Sequence, residues 1–211
     1  MPKLDTDYLV VGAGASGLAF IDTLLDETDA HITVVDKRDK PGGHWNDAYP
    51  FVRLHQPSSY YGVASRTLGQ ARIDTSGVNK GFEELASGTD VLAYLHSAMQ
   101  DHFIPSGRVT FLPMTEYIGD GEVRNLLSDQ RTSINLRGRL VDASICENGI
   151  PLTHKRKFDV DDAVTCIPPN ALPRLASGHR HFTVLGAGKT AMDSIVWLME
   201  NGAEGQQIRW V

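Results

Sequence analysis

The sequence predicts an α/β protein: a parallel sheet with a small antiparallel β insert, followed by a second, incomplete unit of the same kind. Three observations carry this. Short apolar, β-branched runs alternate with stretches of helical periodicity. The first such run, residues 7–11, leads directly into Gly12-Ala-Gly-Ala-Ser-Gly17. The same order of strand, glycine turn and helix returns at residues 181–200.

Each element has its own signal. Residues 7–11 read as a buried parallel strand. Leu18, Ile21, Leu24 and Leu25 then recur at helical spacing, and residues 31–35 form a second strand ending at Asp36. Residues 37–88 are rich in Gly, Pro, Ser and Tyr, as expected of a loop that covers a ligand. Asp90 is the expected N-cap of a helix running to about Phe103, with Val91, Leu92, Leu95 and Met99 on one face. Pro105-Ser-Gly107 should end it, and residues 108–112 form the next strand. Residues 134–136, 139–141 and 163–165 are the expected strands of the insert and its return. A proline-rich linker spans 167–173. Beyond it lie a strand at 181–185, the turn Gly186-Ala-Gly-Lys-Thr-Ala191, and a helix with Ala191, Ile195, Leu198 and Met199 on its face. Gly202 closes that helix and a strand starts at 207. The expected domains are 1–176 and an incomplete unit at 179–211. Only 25 residues follow Gly186, and a complete βαβ unit needs about 30 or more.

Composition narrows the function. Hydrophobic residues make up 41% and charged residues 22%, as in a soluble globular protein rather than a disordered one. Twenty Lys and Arg against 26 Asp and Glu give a formal charge of −6, so no nucleic-acid or acidic-membrane partner is expected. The apolar stretch 8–21 is too short to span a bilayer, and its flank, with two acids and one base, is not that of a secretion signal. A cytoplasmic location is expected. Cys146 and Cys166, twenty residues apart, have neither metal-ligand nor Cys-x-x-Cys spacing, and no metal is expected.

The glycine turns carry the chemistry. In Gly12-x-Gly14-x-x-Gly17 the first glycine allows the tight turn. The second admits a pyrophosphate against the backbone, and the third lets helix and strand pack closely. The pyrophosphate rests on the helix N-terminus, where unpaired N–H groups and the dipole favour an anion. Asp36 lies 22 residues after Gly14, placed for the ribose hydroxyls of an adenosine. This is the pattern of a Rossmann-like dinucleotide site. The second turn, Gly186-x-Gly188-x-x-Ala191, has the same logic, with alanine at the packing position.

Two such turns, the first followed by Lys37-Arg-Asp-Lys-Pro-Gly-Gly-His-Trp45, resemble the two-dinucleotide-binding flavoproteins of the flavin-containing monooxygenase-like group. The resemblance implies FAD at the first turn and NADP, or NAD, at the second. It implies that Gly12, Gly14, Ala15, Ser16 and Gly17 hold the FAD pyrophosphate, that Asp36 takes the ribose, and that Lys37 lies beside the adenine. Gly43, His44 and Trp45 would approach the flavin, with His55 and Gln56 lining its pocket and Met114 near the adenine edge. Gly186, Gly188, Lys189 and Thr190 would face the nicotinamide dinucleotide. Residues 141–144 resemble the strand that returns toward the flavin. The implied activity is hydride transfer from NAD(P)H to FAD, serving oxygenation of a small-molecule substrate. No side chain is singled out as catalytic. Trp45 also fits a core position, His55 and Gln56 a surface loop, and Lys189 a solvated first-turn lysine.

Two departures bear on this. The monooxygenase pattern Phe-x-Gly-x-x-x-His is absent before the second turn, where Ser177-Gly-His-Arg-His181 keeps a fragment of it. The cysteine pair of disulfide reductases is absent near Gly42-Gly43, so disulfide reduction is not the expected chemistry. The alternative to an oxidoreductase is a truncated, non-catalytic FAD-binding fragment.

Overall fold

The computed structural model describes residues 2–144, 152 and 156–211. Cys146 lies outside the described residues. The chain packs as two compact units, Met1–Asn46 with Leu54–Glu147, and Asp47–Arg53 with Asn148–Val211.

The first unit is built on β1 (Lys3–Val11), α1 (Ala15–Glu27), β2 (Ile32–Val35), α2 (Gly88–Ser97), β3 (Val109–Leu112), β4 (Thr115–Gly119), β5 (Glu122–Asn125) and β6 (Arg131–Asp142). Its six-stranded sheet has the order β3-β2-β1-β6-β5-β4. The first four run parallel, while β5 and β4 are antiparallel additions. This is the expected Rossmann-like α/β sheet with its insert.

Burial explains the parallel half. Leu9 and Val35 are fully buried in a cluster with Val123 and Ile134. Val10 and Val34, one residue out of phase and therefore on the opposite face, are fully buried too. Leu18 and Ile21 of α1 are also fully buried, as are Val91 and Leu95 of α2 and Met99 and Phe103 just beyond it. Of the expected apolar face, Val91, Leu95 and Met99 pack, while Leu92 is only half-buried. Arg108 closes α1 at its C-terminal end, its guanidinium donating to Leu25 O at 2.7 Å and to Thr28 O. A cation there satisfies free carbonyls and opposes the helix dipole.

Several expectations need correction. α2 is capped by Ser87, not Asp90. Asp90 is the third residue of a capping box, receiving the Ser87 N–H at 2.9 Å while its own N–H donates to Ser87 Oγ. The helix does not run regularly to Phe103, because Ala98–Phe103 widens into a π turn before Gly107 ends the segment at φ +72°. β1 begins four residues earlier than expected, since Lys3–Thr6 pairs with Ser133–Leu136 without being a continuous apolar run.

The insert differs most. Residues 134–136 and 139–141 belong to one strand, β6, and Gly138 sits in a bulge within it. Register shifts there, from Thr6 opposite Leu136 to Tyr8 opposite Arg139. A side chain at Gly138 would put its Cβ 2.3 Å from Asp7 O. Gly138→Ala is therefore expected to cost about 2 kcal/mol, measured as a lower urea midpoint with unchanged m-value. The hairpin β4–β5 was not expected, although Asp120-Gly121 links it with both residues at positive φ, the geometry of a type I′ turn. Residues 163–165 are not a strand. Asp161 accepts from Ala163 N at 2.8 Å through its side chain and from Val164 N at 2.9 Å through its carbonyl, so the chain turns.

The second unit contains α3 (Leu172–Leu175), β7 (Phe182–Val184), α4 (Lys189–Glu200) and β8 (Ile208–Trp210). β7 and β8 are parallel, as the repeated motif requires. Ala191, Ser194 and Leu198 form the buried face of α4, whereas Met199 is 54% exposed rather than packed. Gly202 follows the helix at φ +95°. Among the described residues, no helix is long and apolar enough to cross a membrane.

Candidate dinucleotide site

In the first unit, β1 leads through α1 to β2 on one side, and β6 joins it on the other. The strand order therefore reverses at β1, and the crevice at the carboxyl ends of β1 and β6 is where α/β sheets bind ligands. Gly12 stands there at φ +105°. Its amide donates to Val35 O at 2.8 Å. A Cβ on it would lie 3.3 Å from Ala143 C and O and 3.4 Å from Ser144 N, so the end of β6 closes on the turn as residues 141–144 implied. Gly17 is the tightest position: its Cβ would sit 2.1 Å from Gly12 O. Gly14 is the N-cap of α1 and supplies no side-chain cap, so the first N–H groups of the helix, around Ala15 and Ser16, are left for an anion.

Asp36 is buried, and it locks the turn. Its Oδ2 accepts from Ala13 N at 2.7 Å and its Oδ1 from Arg38 N at 2.8 Å. A carboxylate has about four acceptor positions, so these two bonds leave room for a ribose hydroxyl. Met114, in the turn between β3 and β4 at φ +50°, donates its N–H to Arg38 O at 2.9 Å. Lys37 is largely exposed, with its ammonium 3.9 Å from Glu116. Asp36, Lys37 and Met114 thus share the β2 side of the turn.

The Gly42–Trp45 segment folds back onto that turn. Gly42 N donates to Ala13 O at 2.9 Å. Gly43, at φ +54°, approaches so closely that its Cβ would be 3.0 Å from Gly14 Cα. Trp45 is buried, with Nε1 donating to Tyr61 Oη at 2.6 Å and the indole stacked on His44 at 5.4 Å between ring centroids. Burial raises the Tyr61 phenol above its ordinary range, partly offset by that bond. Trp45 is therefore anchored in the core. His55 is exposed and Gln56 half-buried in the loop that follows Leu54.

Two supporting residues were not legible in the sequence. Asp22, in the middle of α1, accepts from Ser65 N at 2.9 Å and from Ser65 Oγ at 2.5 Å, and His102 lies 4.0 Å away. Tyr94 receives Val63 N at 2.8 Å and donates to Arg66 O at 2.6 Å. Together they pin residues 61–66, and so Tyr61, behind Trp45.

The second turn repeats the backbone. Gly186 stands at φ +110°, its N–H on Val211 O at 2.8 Å. Gly188 caps α4 without a side-chain bond. Among the described residues, a Cβ at either would meet nothing within 4 Å. Thr190, half-buried, accepts Ser194 Oγ at its carbonyl at 2.8 Å. The Lys189 ammonium is bonded to Asp193 and to Arg53 O.

Residues 10–65 match the family model of the NAD(P)-binding Rossmann-like domain. Over 208 residues the chain is 44% identical to uncharacterized proteins of Mycobacterium tuberculosis and Mycobacterium bovis, covering 99% of this chain and 38% of each of theirs. The chain thus spans 38% of the length of the curated relatives it matches. Among solved structures it is similar to an oxidized steroid monooxygenase bound to NADP, at 21% identity and TM-score 0.57 over 98% of this chain and 38% of that one. It is also similar to a Rhodococcus cyclohexanone monooxygenase mutant bound to NADP+, at 20% identity and TM-score 0.52 over 93% and 37%. The resemblance expected from the sequence therefore holds at the level of the fold, which this chain shares with these monooxygenases.

Proposed function

We propose that the chain is the cofactor-binding part of an FAD- and NAD(P)-dependent oxidoreductase of monooxygenase type, cytoplasmic and acting on a small-molecule substrate. FAD is assigned to the first turn and NADP, or NAD, to the second. The carrying observation is the seating of Gly43 on Gly14 beside an uncapped helix N-terminus. A plain nicotinamide turn has no need of this second glycine segment.

The residues fit the group. Gly14 has φ −81°, and an added Cβ would make only an ordinary 3.5 Å contact with Gly43 Cα. The fold itself therefore does not demand a glycine there, whereas close approach of a pyrophosphate does. Gly188 is the same case in the second turn, with φ −87° and, among the described residues, nothing within 4 Å of an added Cβ. Gly12, Gly14, Ala15, Ser16 and Gly17 would hold the FAD pyrophosphate through backbone N–H groups, and Asp36 would take the ribose. Gly43 and His44 would border the flavin, with Trp45 as the rigid wall behind them. Bound FAD supplies an acceptor for the hydride of NAD(P)H and, once reduced, a reductant for O₂. The protein's part is to bind, orient and exclude water.

The visible spectrum of the purified protein, before and after anaerobic NADPH, tests this. Flavin bands that NADPH bleaches support the assignment. A protein that neither carries nor takes up flavin overturns it, and bound flavin that NADPH leaves oxidised points to binding without turnover. Gly14→Ala should weaken flavin retention more than about tenfold, as loss of close backbone approach to an anion implies. Its unfolding free energy should change by less than about 1 kcal/mol. A matched loss of stability and flavin would make Gly14 a packing residue only.

A further inference from the structure

We propose that Asp193 sets the affinity of the second glycine turn for a dinucleotide by holding the Lys189 ammonium, which joins the pyrophosphate only on leaving Asp193. This rests on reading that turn as the nicotinamide dinucleotide site.

Lys189 is the first residue of α4 and follows the N-cap Gly188 directly, so its charge belongs beside any anion on that helix N-terminus. Its ammonium is instead committed to Asp193, one helical turn on, and to the carbonyl of Arg53. Asp193 lies one turn toward the C-terminus of α4, so this pairing draws the ammonium away from the N-cap where a pyrophosphate would rest.

The arrangement is built rather than a passing surface pair. Tyr49, only 7% exposed, donates its hydroxyl to the same Asp193 oxygen at 2.7 Å. Burial first, and the Asp193 carboxylate second, hold the Tyr49 phenol far above its ordinary range, so it stays a donor. Phe51 stacks on Trp197 at 5.4 Å and 27°, and packs against Tyr49 at 4.8 Å. Asn170 donates to Asp47 O at 3.0 Å. Lys189, Asp193 and Trp197 succeed one another at i, i+4 and i+8, on one face of α4. Residues 47–53 therefore lie as a strap along that face, and the strap holds Asp193 in the position that captures Lys189.

The consequence is a competition between two anions for one cation. A pyrophosphate at the turn gains Lys189 only as Asp193 loses it, so the wild-type lysine adds little to affinity. Neutralising Asp193 removes the competitor. The pyrophosphate is common to NAD+ and NADP+, so both should gain equally.

Calorimetric titration of NAD+ and of NADP+ into the full chain tests this, with wild type, Asp193→Asn, Lys189→Met and the double variant. Asp193→Asn should tighten both nucleotides about fivefold, the scale of one partly exposed ion pair, with a steeper loss of affinity in salt. The gain should vanish in the Lys189→Met background, as coupled residues require. Lys189→Met alone should weaken wild-type binding less than about twofold. Four results overturn the proposal: unchanged or weaker binding by a folded Asp193→Asn, a gain that survives without Lys189, a gain confined to NADP+, or a tenfold loss in Lys189→Met. If Asp193→Asn does not fold, the Lys189→Met result decides alone. If wild type binds neither nucleotide, the assignment of the turn fails, and the proposal with it; that failure is distinguishable because it needs no variant.

Discussion

Gly17→Ala is expected to cost the first unit about 3 kcal/mol, the upper range for forcing an extra carbon into a packed site, and to abolish flavin retention. The alanine Cβ would stand 2.1 Å from Gly12 O, and a backbone oxygen has no rotamer by which to move aside. Either α1 must lift from the turn or Gly12 must leave φ +105°. The first movement uncovers Leu18 and Ile21, both fully buried; the second breaks the Gly12 bond to Val35. Both displace the N–H groups that would meet a pyrophosphate. Urea unfolding followed by circular dichroism reads the first effect, and flavin absorbance after gel filtration reads the second. The contrast with Gly14→Ala is the useful part. At Gly14 the same carbon makes a 3.5 Å contact, so flavin should be lost with little change in stability. Wild-type stability in Gly17→Ala would mean that helix and strand do not pack this closely.

What the sequence made legible was local. The turn Gly12–Gly17 and Asp36 announced themselves because strand, glycines, helix and acid stand at fixed spacing along the chain. Local pattern and structure part where the deciding partner is distant. Gly138 lies between the two short runs 134–136 and 139–141, and nothing local shows that Asp7 O lies against it. Residues 3–6 lacked an apolar run, and their strand is held by pairing with residues 133–136. Two further local signals stand in the sequence: Ser87-Gly-Thr-Asp90 is a capping-box pattern and Asp120-Gly121 a hairpin pattern. At the site, Trp45 is placed by Tyr61, and Lys189 by Asp193 and Arg53 O. Asp193 stands one helical turn from Lys189, a spacing the sequence shows, but no spacing motif marks Tyr61 or Arg53.

The two turns share a backbone but differ in what surrounds them. The first is crowded: Gly12, Gly17 and Gly43 each have backbone neighbours that a side chain would strike. Its shape is therefore set by packing before any ligand arrives. Around Gly186 and Gly188, among the described residues, nothing stands within 4 Å of an added Cβ. There the turn is held by its hydrogen bond to Val211 and by Trp210 Nε1, which donates to Gly186 O at 2.6 Å.

Asp22→Ala should be the other marked variant, at about 2 kcal/mol, the scale for losing hydrogen bonds to a charged group. Asp22 is 3% exposed and accepts both the N–H and the hydroxyl of Ser65, which lies 43 residues along the chain. Deleting the carboxylate frees the exposed Ser65 N–H and hydroxyl to water and leaves the loop without this anchor. Asp22→Asn keeps the shape and one acceptor oxygen, so it should lose about half as much. The loop it pins turns at Gly62, φ +122°, and is largely accessible to solvent at residues 64–66. Local opening should therefore precede global unfolding. Limited trypsin digestion reads this, because Arg66 follows Ser65 directly and its peptide bond is protected only while the loop is closed. Cleavage at Arg66 should accelerate in Asp22→Ala more than at Arg139, in the middle of the sheet. Because Tyr61 in the same loop holds Trp45, flavin retention should fall with loop opening, though no residue changed touches the glycine turn. Equal acceleration at both arginines would make Asp22 a contributor to global stability alone, and would separate the loop from the site it backs.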